Sequence, residues 1–351
     1  MDGLIKAAGE SHLSKVWPAA RRILDVQLES GAIPWFEEGP WDPWNHTESA
    51  MALTAMGELS AAAAAYEYLA ETQRADGAWL GDYGNALPMV DRDYISREKA
   101  PAFLDTNFAA YPAVGVTHYL LATGDRARVQ SWWPMVRRAI DFVIALQRSD
   151  GTISWAFEAV GTDEDDALLA GNASIAKSLD CALWLAETLG EPQPRWWGAH
   201  DTLRTALRDT PDVFDRRNTG GRFAMDWYYP VLSGAFTADT SNARLKSGWD
   251  RFVMAEYGCR CVSDEPWITV AESAELVMAL LASGERDLAA EIFTRSTRLQ
   301  DADGVFWMGW QTEEQLFWPK EKPSWTQAAV ILAADALYGD TPASQLLVSK
   351  L

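Results

Sequence analysis

The chain has 351 residues, of which 48% are hydrophobic and 23% charged, and its formal net charge is −20. This apolar content is too high for a disordered protein, and no stretch approaches the ~18 consecutive apolar residues of a membrane-spanning helix. The acidic excess would repel a nucleic-acid backbone, so we expect neither a nucleic-acid partner nor a membrane span.

The cysteines and the first residues indicate the compartment. Cys181, Cys259 and Cys261 are too few for a disulfide framework. The segment from Met1 to Lys6 lacks a basic start that leads into an apolar run, so no secretory signal is expected. The sequence therefore predicts a cytoplasmic protein.

Helical periodicity accounts for most of the chain, and strand signals are nearly absent. The predicted helices form two sets that alternate along the sequence. One set is charged on one face and comprises 12–29, 60–73, 127–147, 195–210, 241–253 and 285–300. The other set is rich in Ala, Gly, Ser and Leu, which suits helices that are packed on every side. Its members are 47–59, 106–123, 166–190, 228–236, 267–283 and 324–339.

A short motif recurs at the ends of predicted helices of the charged set. Gln precedes Gly by four residues, and an aromatic residue follows shortly after, in 27–35, 73–79, 147–155 and 300–307. Because Gly adopts the left-handed conformation that closes a last helical turn, this repetition predicts a repeated helical unit.

Six helix pairs of about 58 residues each predict the fold class. We expect an all-α protein, a single (α/α)6 toroid domain that spans 1–351, with about twelve helices. An open solenoid of helix pairs is the structural alternative. The extra loops before the small-residue helices favour a closed ring with those helices inside.

The loops that precede the six predicted inner helices are unusual in composition. All except the purely acidic third loop combine carboxylates with aromatic or amide side chains. If the inner helices run parallel, these loops converge on a funnel, where acids and amides can bind sugar hydroxyls and indole rings can stack on sugar C–H faces. The substrate-binding residues are expected to be Asp42, Trp44, His46, Glu48, Asn107, Trp227, Tyr228, Trp267, Glu272, Trp307 and Trp325.

Some of these positions have a structural explanation as well. Asp105 stands where an N-cap is expected, and His46 is equally consistent with a structural hydrogen bond. Capping does not explain Glu48 and Glu272, which should lie one turn inside their helices. A lone carboxylate is costly on a buried face, so these two are candidates for an inward-facing site.

Other chemistries find little support. There is no glycine-rich phosphate loop and no serine in a strand-to-helix elbow. Cys259 and Cys261 have the wrong spacing for a zinc pair, and no second pair accompanies them. We therefore expect neither a metal nor another cofactor.

The Gln-x-x-Asp-Gly-x-Trp pattern, complete at 73–79, resembles the short repeats of terpenoid cyclases and of the wider α/α-toroid group that includes protein prenyltransferases. The run 163–166 also resembles the Asp-x-Asp-Asp signature of class II terpene cyclases. That resemblance implies Asp165 as an initiating proton donor. An enzyme acting on an isoprenoid is therefore the alternative function, and a non-catalytic binding toroid is a third.

The layout is also similar to that of the six-hairpin glycosidases, which are single (α/α)6 barrels. The likeness is sharpest at 319–333, where an acid precedes Trp-x-x-Ala at the start of the last inner helix, as in glucoamylase-like enzymes. It implies Glu321 as the general base. Asp105 and Asp226 are the competing candidates for the general acid. We accordingly expect a glycoside hydrolase that cleaves a small glycoside or short saccharide with two carboxylates, in an inverting reaction.

Overall fold

The computed structural model describes residues 11–81, 104–157, 166–216 and 221–351, and helices dominate these ranges. The α-helices are α1 (Trp17–Val26), α2 (Pro43–Ala55), α3 (Leu59–Thr72), α4 (Thr106–Ala110), α5 (Pro112–Thr123), α6 (Arg126–Ala145), α7 (Leu169–Leu189), α8 (Pro194–Asp209), α9 (Ala224–Leu232), α10 (Ala238–Phe252), α11 (Val270–Ala282), α12 (Arg286–Ser296) and α13 (Ser324–Tyr338). Short 3₁₀-helices span His12–Val16, Pro211–Val213 and Thr297–Leu299.

The strands of the described ranges are two or three residues long. They are β1 (Leu104–Asp105), β2 (Ala156–Phe157), β3 (Val253–Met254), β4 (Gly258–Cys259), β5 (Trp267–Thr269), β6 (Gly309–Gln311) and β7 (Leu316–Phe317). The antiparallel pairs β1–β2 and β3–β4 and the antiparallel sheet β5–β6–β7 lie in the connections between helices. Two of these strands, β1 and β5, lead directly into the inner helices α4 and α11.

The inner helices close into a ring. Each of α2, α5, α7, α9, α11 and α13 contacts the next, and α13 returns to α2. The closure is also hydrogen-bonded, because Ser324 donates its backbone N–H to the carbonyl of Trp35 (2.8 Å) and its hydroxyl to the carbonyl of Pro34 (2.7 Å). The predicted (α/α)6 toroid is therefore confirmed, and the open solenoid is excluded.

The composition of the inner helices explains their position. In α13 every residue of 326–337 is buried, so small apolar side chains are needed on all sides. The outer helices α1, α3, α6, α8, α10 and α12 bury one face and present their charged residues to solvent. Among the described residues no helix has the length and apolar character that would let it cross a membrane.

The Gln–Gly motif joins neighbouring outer helices. Gln73 at the end of α3 donates from Nε2 to the carbonyl of Gly77 (2.8 Å) and to that of Met135 in α6 (2.9 Å). Gly77 has a φ of +93°, and a Cβ there would lie 2.3 Å from the carbonyl oxygen of Arg138. Only glycine fits this turn, because the turn is left-handed and packs on the next helix.

The same motif brings the last outer helix back to the first. Gln300 after α12 bonds to the carbonyl of Gly304 (2.7 Å), and a Cβ on Gly304 would lie 2.6 Å from Cγ of Pro18 in α1. The Gln–Gly motif therefore ends the outer helices and also brings the last outer helix into contact with the first.

Four predicted inner helices differ clearly from the observed ones, and the first of them, 47–59, is shifted by four residues to Pro43–Ala55. The span 106–123 is divided into α4 and α5 because Pro112 has no N–H to donate to the preceding turn. The span 267–283 begins with β5, and only from Val270 onward is it helical. The span 228–236 begins four residues earlier, at Ala224, which brings Asp226 into the first turn of α9.

Candidate active site

Two adjacent pockets lie where the inner helices begin. The acidic pocket has a volume of about 260 Å³ and the tryptophan pocket about 250 Å³. The acidic pocket is lined by Asp105, Thr106, Asn107, Phe108, Trp155, Leu168, Ala170, Gly171, Asn172, Asp215, Phe223, Met225, Asp226, Cys261 and Glu272. The tryptophan pocket is lined by Trp35, Phe36, Trp44, Asn45, Glu48, Met225, Ala271, Glu272, Glu275, Met308 and Trp325. Met225 and Glu272 line both, so the two pockets adjoin each other at these residues.

The predicted site residues lie together in these pockets because they stand at the N-termini of inner helices. Asp105 caps α4, and Asp226 and Glu272 stand in the first turns of α9 and α11. Trp44 and Trp325 stand in the first turns of α2 and α13. Because the inner helices begin at the same end of the ring, these side chains line a common site, as the parallel arrangement requires.

Asp105 is a carboxyl that can carry a proton at neutral pH. Its Oδ1 accepts a hydrogen bond from the backbone N–H of Phe108 (3.0 Å), which caps α4. Burial, together with the charge of Asp42, raises the pKa of Asp105 to about 7 against the opposing effect of its backbone hydrogen bonds. The group can therefore act as a proton donor.

Glu272 lies at the junction of the two pockets. Its Oε2 is buried and has no hydrogen-bond partner among the described residues. Cys261 also lines the acidic pocket, and burial together with the charge of Glu272 raises the pKa of its thiol. An unsatisfied carboxylate oxygen in a cavity is costly unless a ligand or water meets it, so Glu272 is placed to bind or activate one.

Asp226 and Asp215 add two more carboxyls to the acidic pocket. Burial raises the pKa of Asp226, and Arg244 opposes that shift. Asp215 accepts a hydrogen bond from the backbone N–H of Leu169 (3.0 Å), and burial with the charge of Asp226 raises its pKa to about 7. Asp215 was not predicted from the sequence, because it caps α7 from a segment 46 residues further along the chain, and no local pattern indicates such a contact.

The floor of the tryptophan pocket contains a second pair of acids. Glu48 on α2 accepts a hydrogen bond from the hydroxyl of Tyr111 (3.0 Å), and Glu275 on α11 accepts one from the hydroxyl of Tyr228. Glu275 was also missed, although it follows Glu272 by three residues and therefore lies on the same helix face. Tyr228, predicted to bind substrate, is fully buried behind Glu275 instead of lining the pocket.

Asp42 and His46 support the pocket wall from behind. Asp42 caps α2 through the N–H of Asn45 (2.9 Å), and its other oxygen accepts from the Asn45 amide (2.6 Å) and from Nε1 of Trp35 (2.7 Å). His46 accepts at Nδ1 from the N–H of Ile33 (3.1 Å), and burial lowers its pKa to about 4. Neither side chain lines the two pockets, so the structure favours supporting roles over direct substrate contact.

Three predicted tryptophans have covered faces. Trp227 stacks on Phe252 with ring centroids 5.3 Å apart, and Trp267 meets Trp318 edge-on at 5.1 Å. Trp307 has Phe317 stacked on one side and the ammonium of Lys322 4.6 Å from its ring centroid. None of the three lines either pocket. Trp307 lines the groove that also contains Glu321, and Trp227 lines a groove beside Arg244.

Glu321 lies apart from the other predicted catalytic residues. Its backbone carbonyl accepts from the N–H of Met308 (2.9 Å), whose side chain lines the tryptophan pocket. Glu321 lines a separate groove beside α1, together with Arg21, Arg22 and Asp25. The structure therefore brings together Asp105, Asp226 and Glu272 without Glu321. The alternative proton donor Asp165 lies outside the described residues.

Comparison with known structures places the fold among glycosidases. A GH63 mannosylglycerate hydrolase from Thermus thermophilus, in complex with glucose, superposes with a TM-score of 0.68 at 12% identity, over 89% of this chain and 98% of that one. A glycosidase in complex with glucose gives 0.66 at 13% identity, over 95% of this chain and 100% of that one. No protein-family model matches the chain.

The toroid, its pair of joined pockets and a close sequence relative define the class of protein: the chain is a glycoside hydrolase. It is 45% identical, over 323 residues, to the MMP endo-(1,4)-3-O-methyl-alpha-D-mannosidase of Mycolicibacterium hassiacum, covering 92% of this chain and 86% of that protein. The chain belongs to the family of this mannosidase. Membership favours the predicted hydrolase over the isoprenoid and binding-only alternatives.

Proposed function

We propose that the protein hydrolyses α-linked mannosides that carry methyl ethers. The observation that carries this proposal is the junction at Glu272 between a pocket of acids and amides and a pocket walled by Met225, Ala271, Met308 and tryptophans. Hydroxyl groups need the first kind of surface, and methyl ethers need the second. The name of the mannosidase relative, which acts within a 3-O-methylated chain, supports the same substrate class.

We assign Glu272 as the general base and Asp105 as the general acid. Glu272 offers a free carboxylate oxygen at the junction, and Asp105 can hold a proton at neutral pH. In an inverting reaction Glu272 activates a water while Asp105 protonates the departing oxygen. Asp226 is the competing acid, and inversion itself stays a prediction. No metal or other cofactor has a part in this proposal.

The amide and the remaining acids of the acidic pocket would position the sugar. Oδ1 of Asn107 is buried without a hydrogen-bond partner among the described residues, so a sugar hydroxyl can satisfy it. Trp44, held flat against Tyr111 with centroids 3.9 Å apart, and Trp325 would shape the tryptophan pocket. Asp42 would act indirectly, by holding Trp35 and Asn45 in that wall.

Three variants test these roles on a 1,4-linked 3-O-methylmannose oligosaccharide. We expect Glu272→Gln and Asp105→Asn to lower kcat/KM by about 10²–10⁴-fold, because each removes a proton-transfer group. Glu321→Gln is the matched control and should keep wild-type activity, since Glu321 lines another groove. The same panel includes the unmethylated oligosaccharide. A fully active Glu272→Gln together with an inactive Glu321→Gln would contradict this assignment. Glu321 would then be the general base, as the glucoamylase-like segment implies.

Three further statements stay predictions. The organisation as one domain over 1–351 is supported by the contact of α13 with α2. A cytoplasmic location is supported by Cys181, Cys259 and Cys261, which are free thiols. The length of the saccharide that the site accepts, a small glycoside or a longer chain, is a matter for the same substrate panel.

A further inference from the structure

Glu48 and Glu275 line the tryptophan pocket from two inner helices, α2 and α11, which are separated by α13 in the ring. Their side chains are only 5% and 6% exposed, and each carboxyl has one oxygen held by a tyrosine hydroxyl. No cation forms an ion pair with either acid in the part of the chain that the structure describes. The two acids therefore form a buried carboxyl pair whose remaining oxygens are not bonded to either tyrosine.

The groups around this pair are acidic or neutral. Tyr111 and Asp42 act on Glu48, while Tyr228, Tyr229 and Glu272 surround Glu275, and the buried thiol of Cys259 lies nearby. Two carboxylates that are buried together without a counter-charge cannot both ionise at low cost. Burial raises the pKa of Glu48 to about 8, and burial with the charges of Glu48 and Glu272 raises the pKa of Glu275 well above its usual range.

We propose that Glu48 and Glu275 act as a proton-carrying donor pair that selects substrate oxygens able only to accept hydrogen bonds. This inference rests on the proposed hydrolysis of methylated mannosides. A methyl ether oxygen has lone pairs and no proton, so an ionised carboxylate cannot bond to it, whereas a protonated carboxyl can donate to it. A free hydroxyl can donate or accept and is bound by either form. The pair thus contributes to specificity, and Glu272 and Asp105 carry the proton transfers.

The alternative role for the pair is catalytic, and conservative substitutions separate the two roles. Glutamine keeps the size of glutamate and donates a hydrogen bond at every pH. We expect Glu48→Gln and Glu275→Gln to change KM more than kcat and to lose far less kcat than Glu272→Gln, which loses about 10²-fold or more. A loss in Glu48→Gln or Glu275→Gln as large as that in Glu272→Gln would overturn the donor role and leave the hydrolase proposal standing. If Glu272→Gln and Asp105→Asn remained fully active as well, the proposed function itself would fail.

Binding measured apart from the chemistry gives a second readout. A sulfur-linked analogue of the 3-O-methylmannose oligosaccharide resists hydrolysis, and its Kd can be followed by calorimetry from about pH 6 to about pH 9, which brackets the pKa of about 8 of Glu48. Wild-type affinity should fall about tenfold as the pair loses its proton, with a smaller change for the unmethylated analogue. In Glu48→Gln this pH dependence should be reduced. Equal pH dependence for the two analogues would contradict the inference.

The proton itself can be observed in the wild-type protein, so the test does not depend on a variant folding. A protonated carboxyl has a carbonyl stretch in the infrared that a carboxylate lacks. Because the pKa of Glu48 is raised to about 8, we expect a buried carboxyl band at neutral pH that weakens above about pH 8. The band should be diminished in Glu48→Gln and in Glu275→Gln. Absence of that band in the wild type at neutral pH would refute a proton-carrying pair.

Discussion

The acidic pocket and the tryptophan pocket contain the same type of group in different surroundings. In the acidic pocket Asp105 and Asp215 cap helices, so backbone N–H groups share their oxygens. In the tryptophan pocket Glu48 and Glu275 are met by tyrosine hydroxyls among apolar side chains. We infer that the role of a carboxyl depends on its neighbours, and the proposed roles follow that division: proton transfer in the polar pocket and hydrogen-bond donation in the apolar one.

The largest effect on activity is expected for substitution of Asp105. Asparagine is an equally good helix cap, so Asp105→Asn should keep the helical circular dichroism while it removes the transferable proton. We expect kcat/KM to fall about 10²–10⁴-fold on an oligosaccharide. A methylated mannoside with a dinitrophenyl leaving group needs no proton and should be cleaved with a much smaller loss. Equal losses on both substrates would argue against an acid role.

The pH dependence of activity tests the same assignment of Asp105 as the general acid. An acid whose pKa is raised to about 7 is protonated below that pH, so activity should decline as pH rises through about 7. The decline should be missing from the residual activity of Asp105→Asn. A decline that persists unchanged in that variant would point to Asp226.

A smaller effect is expected at the apolar wall. Met308→Gln keeps the length of the side chain and replaces the thioether by an amide. The amide favours binding of a substrate hydroxyl group over binding of a methyl group. The preference for the methylated over the unmethylated oligosaccharide should fall about 10-fold, since a methyl group in an apolar pocket contributes about 1–3 kcal/mol. Leu280→Met, a volume-conserving change in a buried residue outside both pockets, serves as control. An unchanged preference would show that the methyl ethers do not bind in the tryptophan pocket.

The smallest effect concerns stability. Because the pKa of folded Glu48 is raised from 4.5 to about 8, folding at pH values between these two requires proton uptake, and the free energy of unfolding declines as pH rises through that window. Glu48→Gln has no such titration. The variant should gain roughly 1–3 kcal/mol relative to wild type at about pH 8 and less at about pH 5, as measured by urea unfolding. A gain that is independent of pH would disprove the linkage.

Local patterns sufficed for the toroid and for part of the site. The Gln–Gly motif can be recognised within a few residues of sequence. In the structure it joins adjacent outer helices, as in the hydrogen bond between Gln73 and Met135. Asp105 and Glu272 were also predictable, because first-turn positions of parallel inner helices must converge. Glu275 could have been predicted in the same way, because it lies three residues beyond Glu272 on the same face of the helix.

The remaining features of the candidate site depend on contacts between residues from different segments of the chain. Nothing local indicates that Phe252 covers Trp227, or that Lys322 lies over the ring of Trp307. Glu321 stands in an irregular segment, and no periodicity determines which of two cavities its side chain lines. Patterns of capping and periodicity therefore predict which residues can approach the mouth of the ring, and packing decides which of them reach it.

The most direct test of the central claim is a crystal structure of the Glu272→Gln variant with an intact 3-O-methylmannose oligosaccharide. The account predicts a saccharide that spans both pockets, with its glycosidic oxygen near Asp105, residue 272 on the opposite side, and a methyl ether beside Met308 above Glu48 and Glu275. A saccharide bound in the groove beside Glu321, or one whose methyl groups lie among the acids of the acidic pocket, would contradict it.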